Sequence, residues 1–269
     1  MFLISFLAFW LQIYAQDLEV SRVIFRKNSE TVNEVREKFD ADHNFIMSVV
    51  APEISRYALF NDYIETKSLE LIYTSKGHRY CNFSVGYFQM KPEFVEQLEE
   101  YIRTSDLNIP KLNSVKINKW LPVKKQRAIR IKRLKSFYWQ MMYAYAFYFV
   151  AEHRFKNVKF NTIEDKLVFY ANAYNAGFMK TEEEIRDKSL DCNFPYGKKY
   201  KGKQDNYGEL ALCFYRDFAP DLKINNVVIS EKSVDHNVLK YLAVASYLFL
   251  IAIILFNKFF RSVRYIFHF

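Results

Sequence analysis

Glycine is scarce in this chain, with 6 residues in 269, and proline is equally rare at 6. A sequence that uses glycine so sparingly reserves it for backbone needing positive φ or the close approach of another group. Cysteine is scarcer still. Cys81, Cys192 and Cys213 have no CxxC or Cys/His spacing, so no zinc pattern is present. In an oxidising compartment they allow one disulfide with one thiol left over, and the pairing stays open. His43, His78 and His153 are scattered, so neither a metal site nor a cofactor is expected. No Asp or Glu lies between His78 and Lys91. Internal repeats are absent. So is strong β alternation, except at Val227-Val228-Ile229.

What is abundant is apolar and aromatic. Hydrophobic residues make up 51% and aromatics 18%, which excludes a disordered chain. The length suits one good-sized domain or two small ones. With 26 Phe and 20 Tyr, most rings serve as core or interface filler. Tyrosine also buries a ring while keeping a polar handle, which suits carbohydrate contact.

Both ends are hydrophobic. Residues 1–16 begin MFLISFLAFWLQIYA, an apolar run ending in a small residue, as in a secretory signal. The run lacks a basic leader, and a short uncleaved anchor is the alternative. Residues 238–260 include the uncharged run Tyr241 to Phe256, long enough to cross a bilayer with Lys240 and Lys258 reaching its edges. Lys258, Arg261 and Arg264 put the 261–269 tail on the cytoplasmic side. Both signals give one topology: an exported domain over 17–235, one transmembrane helix and a short basic tail. The expected location is the inner (cytoplasmic) membrane, single-pass, with the domain on its periplasmic side.

The net charge is +9, and a second basic cluster runs from Lys124 to Lys135. An exported domain rarely meets nucleic acid, so no nucleic-acid partner is expected. A solvated face, or attraction to anionic wall polymer or lipid headgroups, is the reading.

The body reads as mainly α. Ser21 to Phe39 resembles an exposed or weakly amphipathic helix. Asp42 caps a nearly all-apolar helix, Phe45 to Ala51, which must be buried. Pro52-Glu53 follows, and a carboxylate at the end of a buried helix is costly unless paired or protonated. Tyr57 to Tyr73 is helical and stops at Lys76-Gly77. Pro92 opens the next helix. Leu107 to Leu121 reads as a mobile connection. Leu134 to Phe155 is a long aromatic helix, buried rather than membrane-spanning, because Gln140, Glu152 and Arg154 interrupt it. Thr162 caps a helix ending at Asn175-Ala176-Gly177. A Gly/Lys/Tyr loop over Phe194 to Tyr207 precedes a last helix, Tyr207 to Phe218. Asp221 to Asp235 links the domain to the anchor.

Two segments concentrate the scarce glycine among polar and aromatic residues. They are Ser84-Val85-Gly86-Tyr87-Phe88-Gln89-Met90 and Ala173-Tyr174-Asn175-Ala176-Gly177. With Glu53 upstream they outline a cleft for a polymeric sugar. The first is similar to the Ser/x/Gly/aromatic/Gln stretch of soluble lytic transglycosylases and goose-type lysozymes. The second resembles their Ala-Tyr-Asn-Ala-Gly motif, and the order along the chain also matches. The resemblance covers a motif core at 42–180. It implies an α+β lysozyme-like fold and a membrane-anchored lytic transglycosylase, with peptidoglycan glycan strands and envelope assemblies as partners.

On that resemblance Glu53 is the catalytic acid and base. It protonates the glycosidic oxygen between MurNAc and GlcNAc, and the sugar's 6-hydroxyl then attacks to leave a 1,6-anhydro end. Ser84, Gln89 and Tyr87 would contact sugar, and Gly86 would let backbone approach it. Tyr174 would position the acid, and Asn175 would hold the local turn. Two departures stand out: Ile54 replaces the usual Ser after the acid, and the gap from Glu53 to Gly86 is long. Glu65 and Glu70 lie nearer the motif and are the fallback acids. Glu53 is preferred because burial keeps a carboxylic acid protonated near neutrality. Ser84 stands where a second carboxylate would sit, and a lone acid suits a transglycosylase better than a two-carboxylate glycosidase. Two alternatives remain: an inactive glycan-binding or scaffold protein of the envelope, and a hydrolytic muramidase.

Overall fold

A computed structural model describes residues 18–57, 65–197, 199–201 and 204–219. All lie in the first of the two units into which the chain divides, Met1–Ile224. The expected signal segment, the 221–235 linker, Val227-Val228-Ile229, the 238–260 span and the 261–269 tail fall outside the described residues. So does the part of the Tyr57–Tyr73 helix at 58–64. Among the described residues no helix is long and apolar enough to cross a membrane.

The domain is mainly α, as the periodicity predicts. Among the described residues there is no strand, only isolated bridges such as Val85 with Met90 and Phe194 with Asp205. Helix α1 covers 18–27 and α2 Ser29–Arg36. Exposure was one expectation for this stretch, and the structure corrects it. Leu18 and Phe25 form one apolar stripe with Val32, Val35 and Phe39, Ser21 lies along it, and all are buried. The stripe was there to read at i, i+3/i+4, i+7 spacing.

Helix α3, His43–Ser55, is capped by Asp42, whose Oδ1 accepts from Phe45 N at 3.0 Å. Nearly every residue from Phe45 to Ile54 is buried. Helix α4 is Pro92–Thr104, α5 Val123–Leu134, α6 Phe137–Arg154, α7 Ile163–Ala176, α8 Glu182–Lys188 and α9 Tyr207–Cys213. α6 is a core helix with Gln140 to Phe147 buried. α3, α7 and α9 pack on one another, while α6 packs against α2 and α4. Gly208 lets α9 approach α7 closely: a Cβ there would sit 2.8 Å from Val168 Cγ1 and 2.9 Å from Asn172 Nδ2.

Two further expectations are corrected. The Leu107–Leu121 connection is built rather than loose. Leu112, Val115 and Ile117 are buried, and Arg133 donates to the Ser114 and Val115 carbonyls. The Lys124–Lys135 cluster is only partly a solvated face. Arg130 reaches inward and grips Glu99, which is 1% exposed, with its Nη2 2.8 Å from Oε2. It also donates to Glu96 at 3.2 Å, and Tyr143 Oη donates to Glu99 at 3.2 Å. Removing one partner strands a buried charge. Arg130→Met should therefore lose about 3–5 kcal/mol of stability in urea titration. Arg130→Met with Glu99→Gln should lose much less than the two single changes added together.

Candidate functional site

The end of α3, the 82–91 loop, the start of α4, the end of α7 and the Phe194-Pro195 loop surround one cavity of about 730 Å³. Glu53 lines it, together with Ser84, Gln89, Tyr174 and Asn175. The three sequence elements, far apart in the chain, thus meet at one place.

Glu53 sits in the last turn of a helix that is buried from Phe45 to Pro52 and again at Ile54, and apolar there apart from Ser48. Pro52 beside it supplies no N–H to that turn. Burial pushes the Glu53 carboxyl up from 4.5 to about 8, and the Asn175 amide and the Lys91 ammonium pull it back only in part. Asn175 Nδ2 donates to Glu53 Oε1 at 3.4 Å. Near pH 7 Glu53 is a neutral acid that can donate a proton.

The Gly86–Gln89 turn is closed by paired backbone bonds between Val85 and Met90 at 3.0 and 3.2 Å. Gly86 has φ +74° and Gln89 φ +47°. Gln89 holds its left-handed backbone by donating its side-chain N–H to the Gly86 carbonyl at 2.7 Å. Among the described residues no donor meets its Oε1. Phe88 is pinned from both sides: Gln140 Oε1 accepts its N–H at 2.8 Å, and Tyr174 Oη donates to its carbonyl at 2.7 Å.

Several expected roles change. Gly86 does not line the cavity; it is buried, and a Cβ there would lie 2.0 Å from Gln140 Nε2. The missing side chain leaves room for Gln140. Tyr87 also lies off the cavity, its ring 4.5 Å from that of Tyr57 and 5.9 Å from that of Phe137. Tyr174 and Asn175 exchange tasks. The tyrosine hydroxyl anchors the loop, and the asparagine contacts the acid. Tyr207 completes the surroundings, donating to the Val49 carbonyl at 3.0 Å. Burial holds the Tyr174 and Tyr207 hydroxyls well above 10, and the nearby Glu53 charge adds to the effect.

The fallback acids lie elsewhere. Glu70 is paired with Lys67 at 2.7 Å and Lys135 at 2.8 Å beside a different cavity, and these bonds hold its carboxyl low. Glu65 is not among the residues lining the Glu53 cavity.

Sequence reasoning missed several lining residues. Glu93 accepts from Asn82 Nδ2 at 2.8 Å, and Glu184 accepts from Thr181 N at 2.9 Å in a capping box. Arg56 Nη2 meets Asp205 Oδ2 at 2.7 Å. Lys91 and Lys180 add positive charge to the lining. Lys91 directly follows the Gly86–Met90 motif and was legible; Asp205, far along the chain, carried no signal. The histidines are held at separate places: His43 by Tyr145, His78 by Glu96 and His153 by Asp106. Among the described residues no group of His, Cys, Asp and Glu is arranged for a metal. Cys81, Cys192 and Cys213 are all free thiols.

Because the Asn175 bond favours the charged acid, Asn175→Ala should raise the Glu53 pKa further. The Glu53 titration followed by carboxyl NMR should move to higher pH; an unmoved or lowered midpoint would refute the assignment. Comparison with protein-family models, with curated proteins and with solved structures gave no match.

Proposed function

We propose that this chain is a lytic transglycosylase of peptidoglycan, with a lysozyme-like domain and Glu53 as its single acid and base. The observation carrying the reading is a neutral, desolvated glutamate opening on a polar cavity between the Gly86–Gln89 turn and the Tyr174-Asn175 pair. Glu53 gives its proton to the glycosidic oxygen as the C–O bond breaks. The resulting carboxylate, supported by Asn175 and Lys91, takes a proton from the 6-hydroxyl, which attacks the anomeric carbon. The product is a 1,6-anhydro sugar, and the acid returns to its protonated state. Ser84 and Gln89 line the cavity and would hold sugar hydroxyl or acetamide groups. The terminal hydrophobic segments support an inner-membrane enzyme acting on wall near the bilayer.

Hydrolysis with water is the second reading, because Glu93 and Glu184 also line the cavity. Both carboxylates are committed to local hydrogen bonds, which favours the single-acid route. The test is incubation of the full chain with peptidoglycan, read by mass spectrometry. Anhydro-muropeptides from the wild type, absent with Glu53→Gln, support the proposal. Reducing-end products support the hydrolase. Glycan retained without products supports a binding or scaffold protein.

A further inference from the structure

The basic segment between α4 and α6 has a feature that the cavity does not use. From Leu107 to Ala151 there is no acidic residue. At its centre Trp120 is 85% exposed and Val123 59% exposed, with Pro122 exposed between them. A large ring left in water is ordinarily unfavourable. Here the backbone is built to hold it out. Asn118 Oδ1 accepts from Trp120 N at 2.9 Å, and Leu121 N donates to the Asn118 carbonyl at 3.2 Å. Gln126 Nε2 then ties the turn to the first turns of α5 through the Lys119 and Leu121 carbonyls, at 3.1 and 2.7 Å.

Lysines surround this apex. Lys119 lies over the Trp120 ring at 5.5 Å. Lys124, Lys125 and Lys132 are exposed on α5. Lys124, Ala128 and Lys132 recur at four-residue steps, so they form one stripe running from the apex, while Lys135 beyond the helix end is paired with Glu70 at 2.8 Å. The arginines of the same segment are turned to other work: Arg130 to Glu99, and Arg133 to backbone and the Trp139 ring.

An indole at the tip, aliphatic side chains beside it and cations behind it match the boundary of an anionic bilayer. Tryptophan settles at the headgroup level, and lysines are drawn to acidic lipid. We propose that the Trp120 turn and the α5 lysine stripe dock the domain onto a membrane surface rich in acidic phospholipid. A nucleic acid or soluble polyanion would be served by the lysines alone and gives no use to the exposed Val123 and Pro122. Docking does not depend on the glycan reading.

The experiment follows Trp120 itself. The full chain and its Trp120→Phe variant are reconstituted in vesicles with acyl-brominated lipid, either phosphatidylglycerol-rich or purely phosphatidylcholine. The difference between the two proteins isolates Trp120 from Trp10 and Trp139. Its emission should be blue-shifted and quenched in the acidic vesicles, and less so in the zwitterionic ones. Lys124→Glu with Lys125→Glu should reduce the quenched fraction at least about twofold, since each lysine near acidic lipid is worth roughly fivefold in partitioning. Raising salt should act in the same direction. Trp120 emission that is unquenched and unshifted in acidic vesicles overturns the proposal. So does a Trp120 response to heparin or polyuridylate in detergent with no response to brominated lipid. Circular dichroism of each variant separates lost docking from lost folding.

Discussion

Glu53→Gln should abolish turnover and at the same time make the protein more stable. The amide keeps the size and one hydrogen-bonding oxygen of the acid but cannot release a proton. Loss of a general acid alone removes about 10²–10⁴ in rate. On the proposed route the same group also takes the 6-hydroxyl proton, so the loss should sit at the upper end. The stability change has a definite pH signature. The folded-state value, about 8, lies above the ordinary 4.5. Between these values the native protein holds a proton that the unfolded chain has released. Native stability therefore falls as pH rises through that window, and the whole penalty is present above it. The interval bounds the effect near ~5 kcal/mol. A carboxyl facing an open cavity recovers part of its hydration, so ~2 kcal/mol is expected. Glu53→Gln removes the penalty. Its melting temperature should exceed the wild type's by about 4–8 °C at pH 9, and the two should converge near pH 4. A gain independent of pH would disprove the raised acid. In the wild type, activity should decline as pH climbs past about 8, where Glu53 loses its proton.

The second large effect belongs to Gly86→Ala. The residue has φ +74°, and its missing Cβ position is 2.0 Å from Gln140 Nε2. Left-handed backbone costs an alanine about 1–2 kcal/mol, and crowding a packed site about 1–3 more. A loss of about 3 kcal/mol is expected by chemical denaturation, together with weakened glycan binding. Binding suffers because the turn that places Gln89 is the one displaced. Gln140→Ala opens the space but removes the acceptor of the Phe88 N–H and the donor to the Leu134 carbonyl. Combining the two changes should cost about 1–2 kcal/mol less than their sum. Strict additivity would mean that Gln140 is not what Gly86 accommodates.

These two residues also mark where sequence reading reaches its limit. Glu53 was legible because its setting is local: a run of apolar residues, Asp42 at one end and a carboxylate at the other. Helix ends were legible for the same reason, at Thr162, Pro92 and Gly177. Gly86 was recognised as special, but its partner lies on α6, and nothing near Gly86 announces Gln140. Tyr174 and Asn175 are adjacent, and adjacency alone does not say which side chain reaches Phe88 and which reaches Glu53. Helical rotation decides that. Arg130 read as one of many surface cations, because the buried Glu99 that claims it sits on a different helix. The signal for α1 is present at Leu18 and Phe25, but Glu19, Arg22, Arg26 and Lys27 surround it and dilute the apolar period.

One contact bears on how the cleft chooses its ligand. Arg56, three residues after the acid, is bonded to Asp205, and Asp205 pairs through its backbone with Phe194 on the opposite wall. The chain just after the acid and the Phe194 loop are therefore joined through one arginine. With its carboxylate 2% exposed and its guanidinium 27%, the brace is screened by dissolved ions less than a surface pair would be. Added salt should leave the bore of the cleft as it is, while loosening the domain's hold on acidic lipid.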